Sequence, residues 1–120
     1  MTEVALALIR RGGRWFLQRR APGNPVLPGL WAFPGGKAEP SESPLEALRR
    51  EVREEVGIEL AEVRALPALE GPVRLHPFLV DGPGLPRTDL GWGWFTLEEM
   101  AGLPIPPANA ELLRRLAELP

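Results

Sequence analysis

The stretch that decides the fold is residues 36–58, which read GKAEPSESPLEALRREVREEVGI. Its centre predicts a helix, because Ser43, Pro44 and Glu46 combine an N-cap, a proline at the first helical position and a capping-box glutamate. Gly57 predicts the end of this helix, since glycine readily takes the left-handed conformation found after helix C-termini. Four apolar residues recur at helical spacing and are expected to pack on a sheet: Leu45, Leu48, Val52 and Val56.

Three carboxylates share a neighbouring face of this helix. Glu51, Glu54 and Glu55 stand at positions i, i+3 and i+4, which places them within about 100° of one another around the helix axis. Like charges so close repel one another unless a cation lies among them, and oxygen-only ligands suit Mg²⁺ or Mn²⁺. Arg50 precedes Glu54 by four residues, so it can pair with that carboxylate and hold it in one rotamer. Ala47 is expected on the same face, where it leaves room above the carboxylates.

A charge-rich helix face is more often simply solvated, and the arginines of this helix could form ordinary surface ion pairs. The preceding segment, residues 31–37, favours a binding site instead. It predicts a short strand that runs into a glycine loop. Gly35 and Gly36 let backbone groups approach a ligand closely, and Lys37 supplies a point charge for phosphate.

The rest of the chain alternates short strands, breaker-rich loops and helices. We predict antiparallel strands at 4–10 and 15–19, joined through Gly12 and Gly13, and further strands at 63–69, 73–80 and 92–95. Loops are predicted at 21–30, which leads into a short segment at 31–33, and at 81–91. A short helix is predicted after the capping box at Thr96, and a closing helix at 109–119. This order predicts an α+β fold, an α/β/α sandwich in which a mixed sheet carries helices on both faces. A chain of this length is expected to form one domain, 1–120.

Composition excludes several classes of protein. The hydrophobic fraction of 44% and the charged fraction of 25% are typical of globular domains. The net charge is −2, with no run of Lys and Arg longer than two residues, so we expect no polymeric nucleic-acid partner. The longest apolar run, residues 4–9, is too short to cross a bilayer. With no signal-peptide pattern and no cysteine, we expect a cytoplasmic monomer or homodimer with no membrane partner.

The pattern Gly36-x5-Glu42-x7-Arg50-Glu51-Val52-x-Glu54-Glu55-x-Gly57-Ile58 resembles the Nudix box. This resemblance implies an α/β/α sandwich in which the box, residues 36–58, forms a loop, a helix and a second loop. It also implies that Glu51, Glu54 and Glu55, together with the carbonyl of Gly35, bind Mg²⁺, for which Mn²⁺ is a substitute. Glu51, Glu54 and Arg50 are then our candidate catalytic residues.

Two segments outside the box resemble the MutT group of that family, namely Gly29-Leu30-Trp31-x-Phe33-Pro34-Gly35-Gly36-Lys37 and Pro106-Pro107-Ala108-Asn109. The resemblance implies hydrolysis of a (d)NTP to the monophosphate and pyrophosphate, with oxidised nucleotides such as 8-oxo-dGTP among the substrates. In that group the Asn reads the purine edge, so Asn109 is our candidate for base recognition. Its alternative role is to cap a helix. Arg20, Phe33 and Lys37 are further candidates for substrate binding.

Several assignments stay open. The general base could be a carboxylate beyond the helix, from Glu70, Asp81 or Asp89. The substrate could instead be a dinucleoside polyphosphate, ADP-ribose or a nucleotide sugar, and a Nudix domain that binds nucleotides without catalysis is the alternative of a different class. His76, the only histidine, and the strand tryptophans Trp92 and Trp94 are expected to be structural.

Overall fold

A mixed sheet with helices on both faces forms the structure, a computed structural model that describes residues 1–25, 28–81 and 86–119. Its strands are β1 (Glu3–Arg11), β2 (Arg14–Arg19), β3 (Trp31–Ala32), β4 (Gly35–Lys37), β5 (Val63–Ala65), β6 (Arg74–Asp81) and β7 (Trp92–Phe95). Its helices are α1 (Pro44–Val56), α2 (Leu97–Ala101) and α3 (Ala108–Ala117). No helix in these ranges is both long enough and apolar enough to cross a membrane.

The centre of the sheet is β1, which has neighbours on both sides. The strand order is β3-β2-β1-β6-β5, with β4 also paired to β1 and β7 also paired to β2. Only β1 and β6 are parallel among the described pairs, and their register places Ala5 opposite His76. The register of β2 and β7 places Gln18 opposite Trp92. The sheet is therefore mixed, as the element order predicted.

Two apolar layers hold the helices to the sheet. On one face α1 contributes Ala47, Leu48, Val52 and Val56 to a core that includes Ala5, Ala7, Ile9, Phe16, Phe78 and Val80. On the other face α2 and α3 contribute Met100, Leu112 and Leu116 to a core that includes Leu8, Trp15, Leu17 and Phe33. Each large apolar side chain buried in this way stabilises the fold by about 1.5–3 kcal/mol. The arrangement confirms the predicted α/β/α sandwich.

Local sequence signals account for the turns and helix ends. Gly12 and Gly13 both have positive φ, 54° and 78°, as a tight hairpin turn between twisted strands requires. The Ser43 side chain accepts from the Glu46 backbone, and the Glu46 side chain accepts from the Ser43 backbone, so the predicted capping box is present. Gly57 ends α1 in the left-handed conformation with φ 65°. These predictions are confirmed.

Other details differ from the prediction. The strand predicted at 63–69 ends at Ala65, and Leu69 forms only an isolated bridge, because Pro67 has no N–H to donate to a ladder. Leu45 is exposed, and Ala47 takes its place in the apolar stripe of α1. Residues 26–27 and 82–85, in the predicted loops, and Pro120, in the predicted domain, lie outside the described residues.

The residues expected to be structural divide between core and surface. Trp94 packs against the core beneath α1, with its ring centroid 5.6 Å from that of Phe16. Trp92 is 41% exposed, so the expectation of core packing is wrong for this residue. His76 lies in β6, and its Nε2 is 3.5 Å from the Glu3 carboxylate.

Candidate active site

Helix α1 carries the glutamates of the candidate site. The side of the helix that packs on the sheet determines which of these glutamates lie close to the sheet. Glu51 and Glu55 are about 40° apart around the helix and lie next to that buried side, whereas Glu54 is about 100° from Glu55. Ala47 belongs to the core with 0% exposure, so the expectation that it lies above the carboxylates is wrong.

Two glycines let β4 lie close to both β1 and α1. Gly35 has φ 150°, and a Cβ atom there would lie 2.0 Å from the carbonyl oxygen of Ala5. A Cβ atom on Gly36 would lie 2.6 Å from the carboxylate carbon of Glu51. The first position therefore needs glycine because β4 pairs tightly with β1, and the second because the Glu51 carboxylate lies against the strand.

Arg50 is the hub of an ion-pair network at the start of the site. Its Nε and Nη2 donate to the two oxygens of Glu42 at 2.7 and 2.9 Å, and its Nη1 donates to Glu51 at 2.8 Å. The remaining contacts are to the carbonyl of Lys37 at 3.2 Å and to Glu54 at 3.5 Å. A guanidinium has five N–H donors, and here every one has a partner.

This network corrects the pairing predicted for Arg50. The main partner is Glu42, and Glu54 is the most distant one. The Arg50 guanidinium, followed by the Glu39 backbone N–H, lowers the pKa of Glu42 to about 2. Both side chains are largely shielded from water, with exposed fractions of 26% and 15%. Arg50 thus orients the Glu51 carboxylate and has no free N–H for a substrate.

Glu51 and Glu55 form a close carboxylate pair. Burial of the Glu55 side chain, and then the adjacent Glu51 carboxylate, raise the pKa of Glu55 to about 8. Two groups partly oppose this rise, the side-chain amide of Gln18 and the positive charge of Arg20. The Gln18 Nε2 donates to Glu55 Oε2 at 2.7 Å. Removal of two carboxylates from water beside each other is costly unless a proton or a cation neutralises part of their charge.

Glu54, the third predicted metal ligand, lies outside this pair. Its side chain is 60% exposed, and its contact with Arg50 is long at 3.5 Å. Among the described residues, no group of three His, Cys, Asp or Glu side chains is already arranged to hold a metal ion. The structure brings Glu51 and Glu55 together and leaves Glu54 at the rim.

A pocket of about 280 Å³ adjoins the carboxylate pair. It is lined by Gln18, Arg20, Asn24, Ala32, Phe33, Gly35, Glu55 and Leu90. Four of the residues singled out in the sequence meet here: Arg20, Phe33, Gly35 and Glu55. A larger depression of about 470 Å³ lies near β5, against Arg10, Glu62 and Arg64, and it contains none of the predicted site residues.

Two predicted substrate contacts lie elsewhere. Lys37 is exposed and borders a separate hollow of about 490 Å³ with Glu39 and Glu42. Asn109 is the second residue of α3 and is 5% exposed, and it does not line the 280 Å³ pocket among the described residues. The N-cap of α3 is Pro107, so the alternative role of Asn109 as a helix cap is wrong.

Gln18 was missed in the sequence, although one signal pointed to it. It is the polar residue at the end of the run Trp15-Phe16-Leu17-Gln18, all four of which are buried in β2. A buried polar side chain in an apolar strand needs a specific partner. Its partner, Glu55, comes from a helix 37 residues away in sequence.

The candidate general bases beyond α1 differ in their positions. Glu70 is 64% exposed and pairs with Arg74, away from the pocket. Asp89 is exposed and directly precedes Leu90, a lining residue of the pocket. The side chain of Asp81 lies outside the described residues.

Comparisons with known proteins identify the family. The NUDIX domain model matches residues 1–116. The chain belongs to the Nudix family. It is 35% identical to the CTP pyrophosphohydrolase of Escherichia coli (strain K12), over 99% of this chain and 93% of that protein. It is 47% identical to the nucleoside triphosphatase NudI of Salmonella agona (strain SL483), over 48% of this chain and 40% of that protein.

The fold comparison agrees with the sequence comparison. The MutT NUDIX hydrolase of Burkholderia pseudomallei superposes with a TM-score of 0.85 at 27% identity, over 96% of this chain and 97% of that chain. The Nudix chain described here is therefore a MutT-like member with the Nudix fold, and a hydrolase that acts on phosphorus-containing anhydrides. Nudix hydrolases generally use divalent metal ions.

Proposed function

We propose that this Nudix hydrolase is a Mg²⁺-dependent pyrophosphohydrolase of nucleoside triphosphates, which uses water to release a nucleoside monophosphate and pyrophosphate. The observation that carries the proposal is the 280 Å³ pocket that opens onto Glu55. Its walls combine the apolar side chains of Phe33 and Leu90 with the guanidinium of Arg20. A nucleotide needs both kinds of surface, one for the base and sugar and one for the phosphates.

The donor set fits a hard divalent cation. Glu51 and Glu55 lie side by side next to the buried face of α1, and burial followed by the neighbouring Glu51 raises the pKa of Glu55 to about 8. Glu54 is exposed at the rim, so its side chain can turn toward that pair, and the Gly35 carbonyl adds a neutral oxygen. We assign these four residues as the ligands of Mg²⁺, which Mn²⁺ can replace. When bound, the cation neutralises charge that develops on the phosphate oxygens.

The protein's own side chains supply binding, orientation and proton transfer. Arg20 lines the pocket and pairs with substrate phosphate through its planar fork of donors. Arg50 is a positioning residue, because all its donors hold Glu42, Glu51, Glu54 and the backbone of the glycine strand. Glu54 is our candidate to accept the proton of the attacking water, since its carboxylate is the most exposed of the three.

For the base, we place CTP ahead of 8-oxo-dGTP. One relative that aligns with 99% of this chain, at 35% identity, is a CTP pyrophosphohydrolase. The residue expected to read a purine edge, Asn109, does not line the described pocket. The similarity to MutT structures keeps the oxidised guanine nucleotide as the second candidate.

The test is product release from a panel of substrates with Mg²⁺, with a chelator control. The panel contains CTP, dCTP, the other dNTPs, 8-oxo-dGTP, ADP-ribose and diadenosine polyphosphates. The expected result is Mg²⁺-dependent formation of CMP and pyrophosphate with the highest kcat/KM for CTP. A preference for 8-oxo-dGTP would favour the second candidate, and a preference for ADP-ribose or a dinucleotide would remove triphosphates as the substrate class. Nucleotide binding without turnover would establish the non-catalytic alternative.

A further inference from the structure

Gln18 is a buried polar side chain at the wall of the pocket. It is 5% exposed and lies on the face of β2 that α1 covers. Its Nε2 donates to Glu55 Oε2 at 2.7 Å. Breaking this bond would leave a buried donor and a buried acceptor without partners, which is costly. The amide therefore restricts the rotamer of Glu55 from strand β2.

The orientation of this amide is determined from its other end by Thr88. The Thr88 hydroxyl accepts from the backbone N–H of Leu90 at 3.2 Å and donates to Gln18 Oε1 at 3.3 Å. A hydroxyl has one proton to donate, and here it is directed at the amide oxygen. With its oxygen taken by the Thr88 hydroxyl, Gln18 directs its NH₂ group at Glu55.

The segment that carries Thr88 is attached to the last turn of α1 and to β2. The Arg87 N–H donates to the Val56 carbonyl at 2.8 Å, and the Arg19 N–H donates to the Gly91 carbonyl at 2.7 Å. Gly57 leaves space for this contact, because a Cβ atom there would lie 3.3 Å from Arg87 Cβ. Thr88 and Glu55 are therefore held at a fixed separation by backbone bonds, with Gln18 between them.

We propose that Gln18, oriented by Thr88, is a positioning residue that holds the Glu55 carboxylate in its cation-binding rotamer. The inference rests on the proposed function in one respect, the assignment of Glu51 and Glu55 as cation ligands. The Gln18 N–H donates to Glu55 Oε2 at 2.7 Å, and without this donor that oxygen loses a partner that restricts its rotamer. The Thr88–Gln18–Glu55 chain supplies that restriction.

The first experiment measures Mn²⁺ binding to the protein in the absence of nucleotide, by electron paramagnetic resonance of the free ion. Gln18→Met keeps the length of the side chain and removes both its donor and its acceptor. We expect the Kd for Mn²⁺ to rise by about 10–100-fold, the usual effect of losing a group that orients a metal ligand. Urea unfolding without metal is measured in parallel, and kcat is expected to fall at limiting Mn²⁺ while KM for nucleotide changes little.

A matched pair at Thr88 separates positioning from folding. Thr88→Val removes the hydroxyl at nearly constant shape, and Thr88→Ser keeps it. The valine variant should bind Mn²⁺ more weakly by about tenfold, at the lower end of the range for such groups, and the serine variant should restore the affinity. If Gln18→Met fails to fold, this pair decides: equal Mn²⁺ affinity in the two variants overturns the proposal.

The two proposals fail in different ways. A folded Gln18→Met protein that binds Mn²⁺ as tightly as the wild type overturns the positioning role and leaves the proposed hydrolysis intact. A wild-type protein that binds Mn²⁺ but cleaves no triphosphate removes the proposed function and leaves the positioning role standing. A wild-type protein that binds no Mn²⁺ overturns both.

Discussion

Gly36→Ala is the perturbation that tests the site most directly, because it adds one methyl group against one carboxylate. The new Cβ would lie 2.6 Å from the Glu51 carboxylate carbon and 2.8 Å from both of its oxygens. Ordinary van der Waals contact begins at 3.4 Å. The carboxylate must therefore retreat by about 0.8 Å, the difference between 3.4 and 2.6 Å.

The expected cost falls on function and not on folding. A misplacement of about 1 Å in a catalytic constellation lowers the rate by about 10²-fold, so kcat should fall by about that factor. The Kd for Mn²⁺ should rise by about 10–100-fold. Gly36 does not have positive φ, and the displaced group is the end of a flexible side chain. The free energy of unfolding should therefore change by no more than about 1 kcal/mol.

The assays are steady-state hydrolysis of CTP, Mn²⁺ binding and urea unfolding of the same preparations. Gly71→Ala is the control, because its new Cβ would be 3.6 Å from the nearest atom and Gly71 does not line the 280 Å³ pocket. Gly35→Ala is the contrasting case, since its Cβ would lie 2.0 Å from the Ala5 carbonyl at φ 150°, and it should fail to fold. A folded Gly36→Ala protein with wild-type kcat and Mn²⁺ affinity would refute the placement of Glu51 against β4.

Four further substitutions probe the same network. Glu54→Gln and Glu55→Gln should each lower kcat by about 10²-fold or more, as loss of one charge-stabilising group does. Near-normal turnover of CTP in both variants would contradict the assignment of these two residues as metal ligands. Arg50→Lys replaces five donors with three and should weaken Mn²⁺ binding by about tenfold or more, which calorimetric titration would show. Glu42→Gln should destabilise the protein at neutral pH, because Arg50 lowers the pKa of Glu42 to about 2. A carboxyl whose pKa is lowered on folding stabilises the protein above the ordinary pKa of 4.5, and this stabilisation is lost as pH falls toward 2. The urea midpoints of wild type and Glu42→Gln should therefore converge between these two pH values. A difference that stays constant with pH would contradict the ion pair between Glu42 and Arg50.

Much of the local structure could be predicted because its causes are close in sequence. The capping box of Ser43 and Glu46 spans three residues, and the turn at Gly12 and Gly13 spans two. The end of α1 at Gly57 likewise follows from the conformational freedom of one residue. Helix α1 and the positions of its glutamates along the helix were therefore predicted correctly. Residues 35–37, predicted as a glycine loop, instead form strand β4, because they pair with β1 about 30 residues earlier in the chain.

Predictions that depended on packing were less accurate. Helical spacing placed three glutamates on one face, but contact with the sheet drew in only Glu51 and Glu55 and left Glu54 exposed. The i,i+4 rule favoured Glu54 as the partner of Arg50, whereas the loop before α1 brought Glu42 within 2.7 Å. Spacing on a helix predicts which side chains of that helix are neighbours. It does not predict which other strand, helix or loop packs against them.

By itself, then, the sequence determined the family, the helix that carries the carboxylates and the oxygen chemistry of the site, since each follows from residue type and short-range spacing. Only the tertiary structure decided which groups meet around Glu55. Gln18 is 37 residues from Glu55 and 70 residues from Thr88, so their contacts arise from strand pairing and helix packing over long separations. It also decided that Asn109 does not line the described pocket, because the position of α3 depends on the core beneath it.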